Sequence, residues 1–94
     1  MSNTQIAITH NPQAQRFETT VDGTTAYISY VDNGDVIVYD HTIVPSAIGG
    51  RGIAGELTKH ALDYAREQGK KVAPACSYVA SYMQKHPEYA DIKA

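Results

Sequence analysis

The segment Ile48-Gly49-Gly50-Arg51-Gly52-Ile53-Ala54 separates two stretches of different hydrophobic period, and that change decides the fold. Upstream, residues 35–44 are rich in Val, Ile and Tyr and read as a strand; downstream, residues 56–68 read as a helix. A glycine-rich turn between a strand and a helix is either a tight connection only or a cradle for an anion. The cradle reading has a physical basis. Glycine adopts φ > 0 and lets a ligand approach bare backbone, and the first N–H groups of a helix lack internal partners. Arg51 adds a fixed positive charge to the same turn.

Working back from the turn, the N-terminal half predicts four strands. Residues 5–9 alternate weakly, Arg16–Val21 follows the Asn11-Pro12 break, and Asp22-Gly23 offers a hairpin turn into residues 24–31. Asn33-Gly34 is a second such turn and leads into residues 35–44, giving an antiparallel meander. Period 2 places Ile37, Tyr39, His41 and Ile43 on one face of the last strand and Val36, Val38, Asp40, Thr42 and Val44 on the other. Both faces are largely apolar, which predicts a central strand covered on both sides.

Beyond Pro45, Ile53, Leu57, Ala61, Leu62 and Ala65 form one stripe of an amphipathic helix of about four to five turns, stopped by Gly69. Residues 70–75 read as a short strand, parallel to the one before the helix if the connection is a right-handed crossover. Ser77 is placed to N-cap a second helix over residues 78–85, ended by His86-Pro87. The expectation is a single α+β domain over residues 1–94: an antiparallel meander, a strand-helix-strand crossover and a C-terminal helix.

Composition narrows the function classes. With 94 residues there is one modest core and no separate substrate domain, and 43% hydrophobic with 19% charged residues is ordinary for a globular chain. A net charge of −2, with eight scattered Lys and Arg, gives no footprint for nucleic acid. No basic segment followed by an apolar run opens the chain, and no stretch approaches the ~18 apolar residues of a membrane span. A cytoplasmic protein without membrane contact is expected. The single cysteine, Cys76, makes neither an internal disulfide nor a Cys-rich metal site, so no metal is expected.

In such a unit, ligands bind at the carboxyl ends of the parallel strands beside the helix N-terminus. That address is shared by His41, Thr42, Val44, residues 50–54 and residues 74–77. Gly50, Gly52 and Gly55 also spell a dinucleotide-binding fingerprint, but the preceding strands are antiparallel in pattern and Lys70-Lys71 occupies the region where an acidic residue is needed.

The arrangement resembles instead the GNAT N-acetyltransferase superfamily, whose pyrophosphate-binding motif is Gln/Arg-x-x-Gly-x-Gly/Ala. Gly52 and Ala54 match it, and Gly49 stands where Gln or Arg is usual. His41-Thr42-Ile43-Val44-Pro45, the turn, Ala61-Leu62-Asp63-Tyr64-Ala65-Arg66, Cys76 and His86-Pro87-Glu88-Tyr89-Ala90-Asp91 look like the small single-domain GNAT-like family of predicted acetyltransferases, over roughly residues 15–92. The resemblance implies a minimal GNAT-like fold and acetyl-coenzyme A as acyl donor, for an amine acceptor on a small molecule or protein. The coenzyme would be held by Ile43, Val44, Gly49, Gly50, Arg51, Gly52, Ile53, Ala54 and Cys76, its pyrophosphate on the amides of residues 50–54. Larger members carry two N-terminal helices that shape the acceptor pocket. This chain lacks them, so the acceptor side should be open. The superfamily's general-acid Tyr aligns with Gln84, two residues from Tyr82.

Acetyl transfer needs a neutral amine, a polarised thioester carbonyl and a proton for the leaving thiolate. His41 is a candidate base acting through water, or a core histidine bonded to backbone. Cys76 is a candidate acid or acyl-carrying nucleophile, or a buried inert thiol. Tyr78 and Tyr82 share a helix face; both fit the core, and Tyr82 is retained as a candidate acid. His10 and His60 take no role, and His86 reads as capping or packing. A non-catalytic acyl-coenzyme A-binding module is the alternative to an enzyme, and an interaction domain with a vestigial turn is a third reading.

Overall fold

The computed structural model describes residues 6–94. Five strands, β1 (Thr9–Asn11), β2 (Arg16–Val21), β3 (Thr24–Asp32), β4 (Val36–Ile43) and β5 (Lys71–Pro74), form one sheet in the order β1-β2-β3-β4-β5. The first four pair antiparallel and β5 pairs parallel to β4. Helix α1 (Ile53–Glu67) makes the crossover, α2 (Ser77–Lys85) follows β5, and a 3-10 turn spans Pro87–Ile92.

The turn chemistry explains the meander. Asp22 and Gly23 both take positive φ, 51° and 77°, the pair of conformations that closes a two-residue hairpin with the twist of its strands. At the next reversal the Gly34 amide donates to Asp32 Oδ1 and the Asn33 amide to the Val36 carbonyl. The first strand differs from expectation. It covers Thr9–Asn11, residues 6–8 lie outside any strand, and Gln5 falls outside the described residues. His10 is therefore in a strand, stacked on Phe17 at 4.3 Å, with Nε2 and the Tyr30 hydroxyl sharing a 2.6 Å hydrogen bond.

A second difference matters more for the site. The β3–β4 register runs Tyr30↔Tyr39 and then Ser29↔His41, leaving Asp40 as an extra residue on β4. This β-bulge resets the alternation. Tyr39 shares the face of Tyr30, and beyond the bulge Thr42 shares the face of Ile28, while His41 and Ile43 turn to the opposite side. The expectation that His41 and Ile43 lie with Ile37 and Tyr39 is thus corrected. So is the expectation of cover on both sides. The fully buried sheet residues Phe17, Ala26, Ile28, Ile37, Tyr39 and Val72 all lie on one face, whereas Val31 and Ile43 on the other are each 42% exposed.

Helix α1 lays Ile53, Leu57, Ala61, Leu62 and Ala65 on the buried face, the stripe read from the sequence. Helix α2 packs beside it through Val79 and Met83, with Tyr89 and Ile92 closing the core. Its N-cap is Cys76, not Ser77, because the Cys76 amide donates to the Tyr39 carbonyl and holds residue 76 in extended backbone. The outer edge of β5 is partly covered by the C-terminus, where the Ala94 amide donates to the Val72 carbonyl.

Buried tyrosines tie these layers together and set a pH limit. The Tyr39 hydroxyl donates to the Ala61 carbonyl at 2.6 Å, and the Tyr89 hydroxyl donates to Asp63 Oδ1 at 2.8 Å. Burial pushes both hydroxyls above the ordinary value of 10.0, and the Asp63 carboxylate adds to the shift at Tyr89. The unfolded chain ionises these groups first, so their stabilisation is complete below about pH 10 and falls as pH rises through the folded values. Chemical denaturation followed by circular dichroism should show stability declining above pH 10, with a shallower decline in Tyr39→Phe. A flat profile through that range would contradict the assignment.

Candidate functional site

The glycine turn and the opening of α1 lie just beyond the C-terminal end of β4. Gly50 and Gly52 take φ of 76° and 75°, a left-handed backbone that a side chain resists. Gly52 is the N-cap of α1 and supplies no side-chain cap; the first helical bond runs from the Glu56 amide to the Gly52 carbonyl at 3.1 Å. The amides of Ile53, Ala54 and Gly55 are consequently the open donors of a 15-residue helix. Gly49 differs from its neighbours. Its φ of −69° suits any residue, and a Cβ there would meet only ordinary contact with the Ser46 carbonyl oxygen at 3.5 Å. A side chain at this position fits the backbone; its absence is not a steric requirement.

Below the turn, β4 and β5 part. Their pairing ends at Tyr39↔Pro74, after which the Cys76 amide reaches the Tyr39 carbonyl at 3.0 Å and Cys76 Sγ–H donates to Thr42 Oγ1 at 3.4 Å. From Asp40 onward the outer edge of β4 no longer pairs with β5. The parting opens a slot between β4 on one side and the N-terminus of α2 on the other. Ile43 ends β4 with its side chain on the open sheet face, and Val44 packs partly against the core.

Cys76 is half-buried on the wall of this slot. Burial pushes its thiol pKa up, but once the sulfur is ionised the Thr42 hydroxyl turns from acceptor to donor and, with the backbone N–H groups of Val79, Tyr78 and Thr42, stabilises the thiolate enough to outweigh that effect, leaving the thiol below its ordinary value. The remaining candidates are more dispersed. His41 is exposed on the other face of the sheet, so it is not a core histidine. Tyr82 is six residues into α2 from the N-cap, roughly 9 Å along the helix axis. It stacks on His86 at 4.0 Å. Tyr78, at the first turn of α2, is closer to the cradle: a Cβ on Gly55 would lie 3.6 Å from its hydroxyl. Neither tyrosine belongs to the fully buried core, which takes Val79 and Met83 from this helix.

The arrangement is a helix N-terminus with open amides above a gap between two parallel strands. The GCN5-related N-acetyl-transferase family model matches residues 16–92. This chain belongs to the GCN5-related N-acetyltransferase family. Among curated relatives, Protein NATD1 of Mus musculus is 36% identical over 85 residues, spanning 87% of this chain and 77% of that protein. Protein NATD1 of Gallus gallus is 35% identical over the same shares. The NMR solution structure of a GCN5-like protein from Staphylococcus aureus superposes with a TM-score of 0.71 at 29% identity, covering 100% of this chain and 91% of that one. The GCN5-related family thus accounts for the α+β architecture.

Two features of this family member are not carried by the motif. Arg51 Nη1 donates to Asp22 Oδ2 at 2.8 Å, across from the β2–β3 hairpin. Both side chains are largely exposed, so the pair contributes little and an anion on the turn would compete for the guanidinium. The bulge at Asp40 is the other. It places Thr42, rather than His41, opposite Cys76. A concavity of about 450 Å³ also runs along the flank of α1, lined by Ile8, Glu56, His60, Tyr64 and Glu67 among others, but no residue of the glycine turn contributes to it.

Proposed function

We propose that this chain transfers an acetyl group from acetyl-coenzyme A to an amine, and that the slot between β4 and the start of α2 holds the thioester. The observation that carries this reading is the parting of β4 from β5 beyond Tyr39, with Cys76 against Thr42 at the gap and the open amides of α1 at the end of the connection that follows β4. The amides of residues 50–54 would take the pyrophosphate, with Arg51 released from Asp22 to add charge. The unpaired backbone of β4, including Ile43 and Val44, would bond the amide-bearing arm of the coenzyme much as a neighbouring strand would.

The hydrogen bonds at Cys76 favour thiolate, which supports a nucleophile over an acid. In the first step the Cys76 sulfur attacks the acetyl carbonyl carbon, a new C–S bond forms, and coenzyme A departs as a thiolate that takes a proton from water. In the second, a neutral amine attacks the acetyl-cysteine, the C–N bond forms, the Cys76 thiolate is regenerated and the amine's excess proton passes to water. His41 faces the opposite side of β4 from Cys76, so it would receive that proton only through a chain of water around the strand.

A small alkylating reagent should modify Cys76 with a midpoint pH below that of an ordinary thiol, and bound coenzyme A should slow the reaction. Cys76→Ala should keep coenzyme A affinity by calorimetry and lose acetyl transfer by about a thousandfold or more. Normal transfer in that variant would remove Cys76 from the chemistry. The second reading, an acyl-coenzyme A-binding module, draws on the missing Gln or Arg at Gly49. Tight coenzyme A binding with no acetylated product from any amine in a broad panel would select it.

A further inference from the structure

The first described residues of the chain run as a strap on the helix side of the sheet. Strand β1 has three residues and lies at the sheet edge with β2 as its partner, so few ladder hydrogen bonds hold it. What fixes it is the His10 ring. That ring stacks on the fully buried Phe17 at 4.3 Å and meets Tyr64 edge-on at 4.7 Å, and its Nε2 shares the 2.6 Å hydrogen bond with the Tyr30 hydroxyl. Upstream, Ile6 and Ile8 pack against the core and border the concavity on the flank of α1. Ile6 also borders a second concavity, of about 240 Å³, whose other walls are Val21, Arg51 and Ile53. The strap therefore extends from its fastening at His10 to the glycine turn, where Ile53 opens α1.

The fastening is a titratable group in a setting that resists charge. From β3 it faces the Tyr30 hydroxyl, and Asp32 at the end of that strand is paired with Lys70. From α1 it faces Tyr64 and His60, which packs against the same Phe17 ring at 5.3 Å. Glu56, Lys59, Asp63 and Glu67 line the α1 flank beside His60, where Lys59 pairs with Asp63. On β2, Arg16 and Glu18 bind each other. Among the described residues no carboxylate forms an ion pair with His10. Burial lowers the His10 pKa from its ordinary 6.5, and His60 adds to the lowering. Once released, the ring returns to its ordinary value, so docking is favoured above about pH 6.5 and loses ground as pH falls below it. We propose that residues 6–11 are a pH-released strap: protonation of His10 detaches β1 from Phe17 and Tyr30, draws Ile6 away from Arg51 and Ile53, and weakens coenzyme A binding on the turn. Ile53 is almost fully buried and its amide is one of the open donors, so losing Ile6 beside it loosens the backbone that aims those donors. Release rests on the packing alone; its effect on coenzyme A rests on the proposed coenzyme site.

The test is an NMR titration of the protein without ligand, from about pH 8 to about pH 5. The His10 ring is expected to titrate with a midpoint below 6.5, and its contacts with the Phe17 and Tyr64 rings should fade at the same midpoint. His10→Phe keeps an aromatic ring without a titrating group and should hold the strap throughout this range. His60→Gln should keep the release and move its midpoint up. By calorimetry, the wild-type protein should lose coenzyme A affinity across the range by about threefold or more relative to His10→Phe, a comparison in which ionisation of the coenzyme's own phosphates cancels. Ring contacts that persist after His10 has titrated, or release that is unchanged in His10→Phe, overturn the strap. Equal loss of affinity in the two proteins overturns its coupling to the turn. Release of the strap in a protein that binds no coenzyme A at any pH would remove the coenzyme site and with it the coupling, while supporting the strap itself.

Discussion

Gly52→Val should lower coenzyme A affinity by about a hundredfold or more while leaving a folded protein. Gly52 holds φ of 75° at the N-cap of α1, and a β-branched residue resists that conformation. Space is not the obstacle, because a Cβ at Gly52 would meet nothing within 4 Å. The backbone would rotate to relieve the strain, and the amides of Ile53 and Ala54 would no longer converge. Losing two charge-assisted hydrogen bonds at about 1.5–3 kcal/mol each gives the expected factor. The strain itself costs roughly 1–2 kcal/mol, within what a domain of this size tolerates. Calorimetric affinity unchanged in folded Gly52→Val would refute the cradle.

Tyr39→Ala should be the most damaging single substitution to stability. The ring is fully buried, meets Tyr30 edge-on at 6.1 Å and donates its hydroxyl to the Ala61 carbonyl, so it joins β3, β4 and α1. Removing it leaves a cavity under the helix, at a cost of about 3–5 kcal/mol. Tyr39→Phe keeps the packing and loses only the hydrogen bond, at about 1 kcal/mol. Chemical denaturation curves for the two variants should separate by that difference. Equal midpoints would mean that the ring contributes no more than its hydroxyl.

The parts of this fold legible in the sequence are those set by local rules. The stripe from Ile53 to Ala65 follows the helical period, and the Asp22-Gly23 turn needs only its own φ angles. What escaped sequence reasoning depends on distant partners. The bulge at Asp40 exists because β4 must satisfy both Tyr30 and Ser29 on β3, and strict alternation cannot reveal a residue inserted by pairing. Ser77 is the better capping residue by type, yet the Cys76 amide bonds β4 and moves the cap one position upstream. The Arg51–Asp22 pair spans 29 residues and carries no local signal. Within the site, the glycine turn was readable because open amides and positive φ come from residue type. The opposition of Cys76 to Thr42 was not, because it follows from the bulge.

The most direct test of the account is amide NMR during titration with acetyl-coenzyme A. The amides of residues 50–54, of Thr42 to Val44 and of Cys76 to Tyr78 should shift together and saturate at one ligand concentration, marking a single molecule lying from the α1 N-terminus down the slot between β4 and α2. Saturable shifts that leave residues 50–54 and Cys76 unmoved, or no shifts at all, would contradict the account.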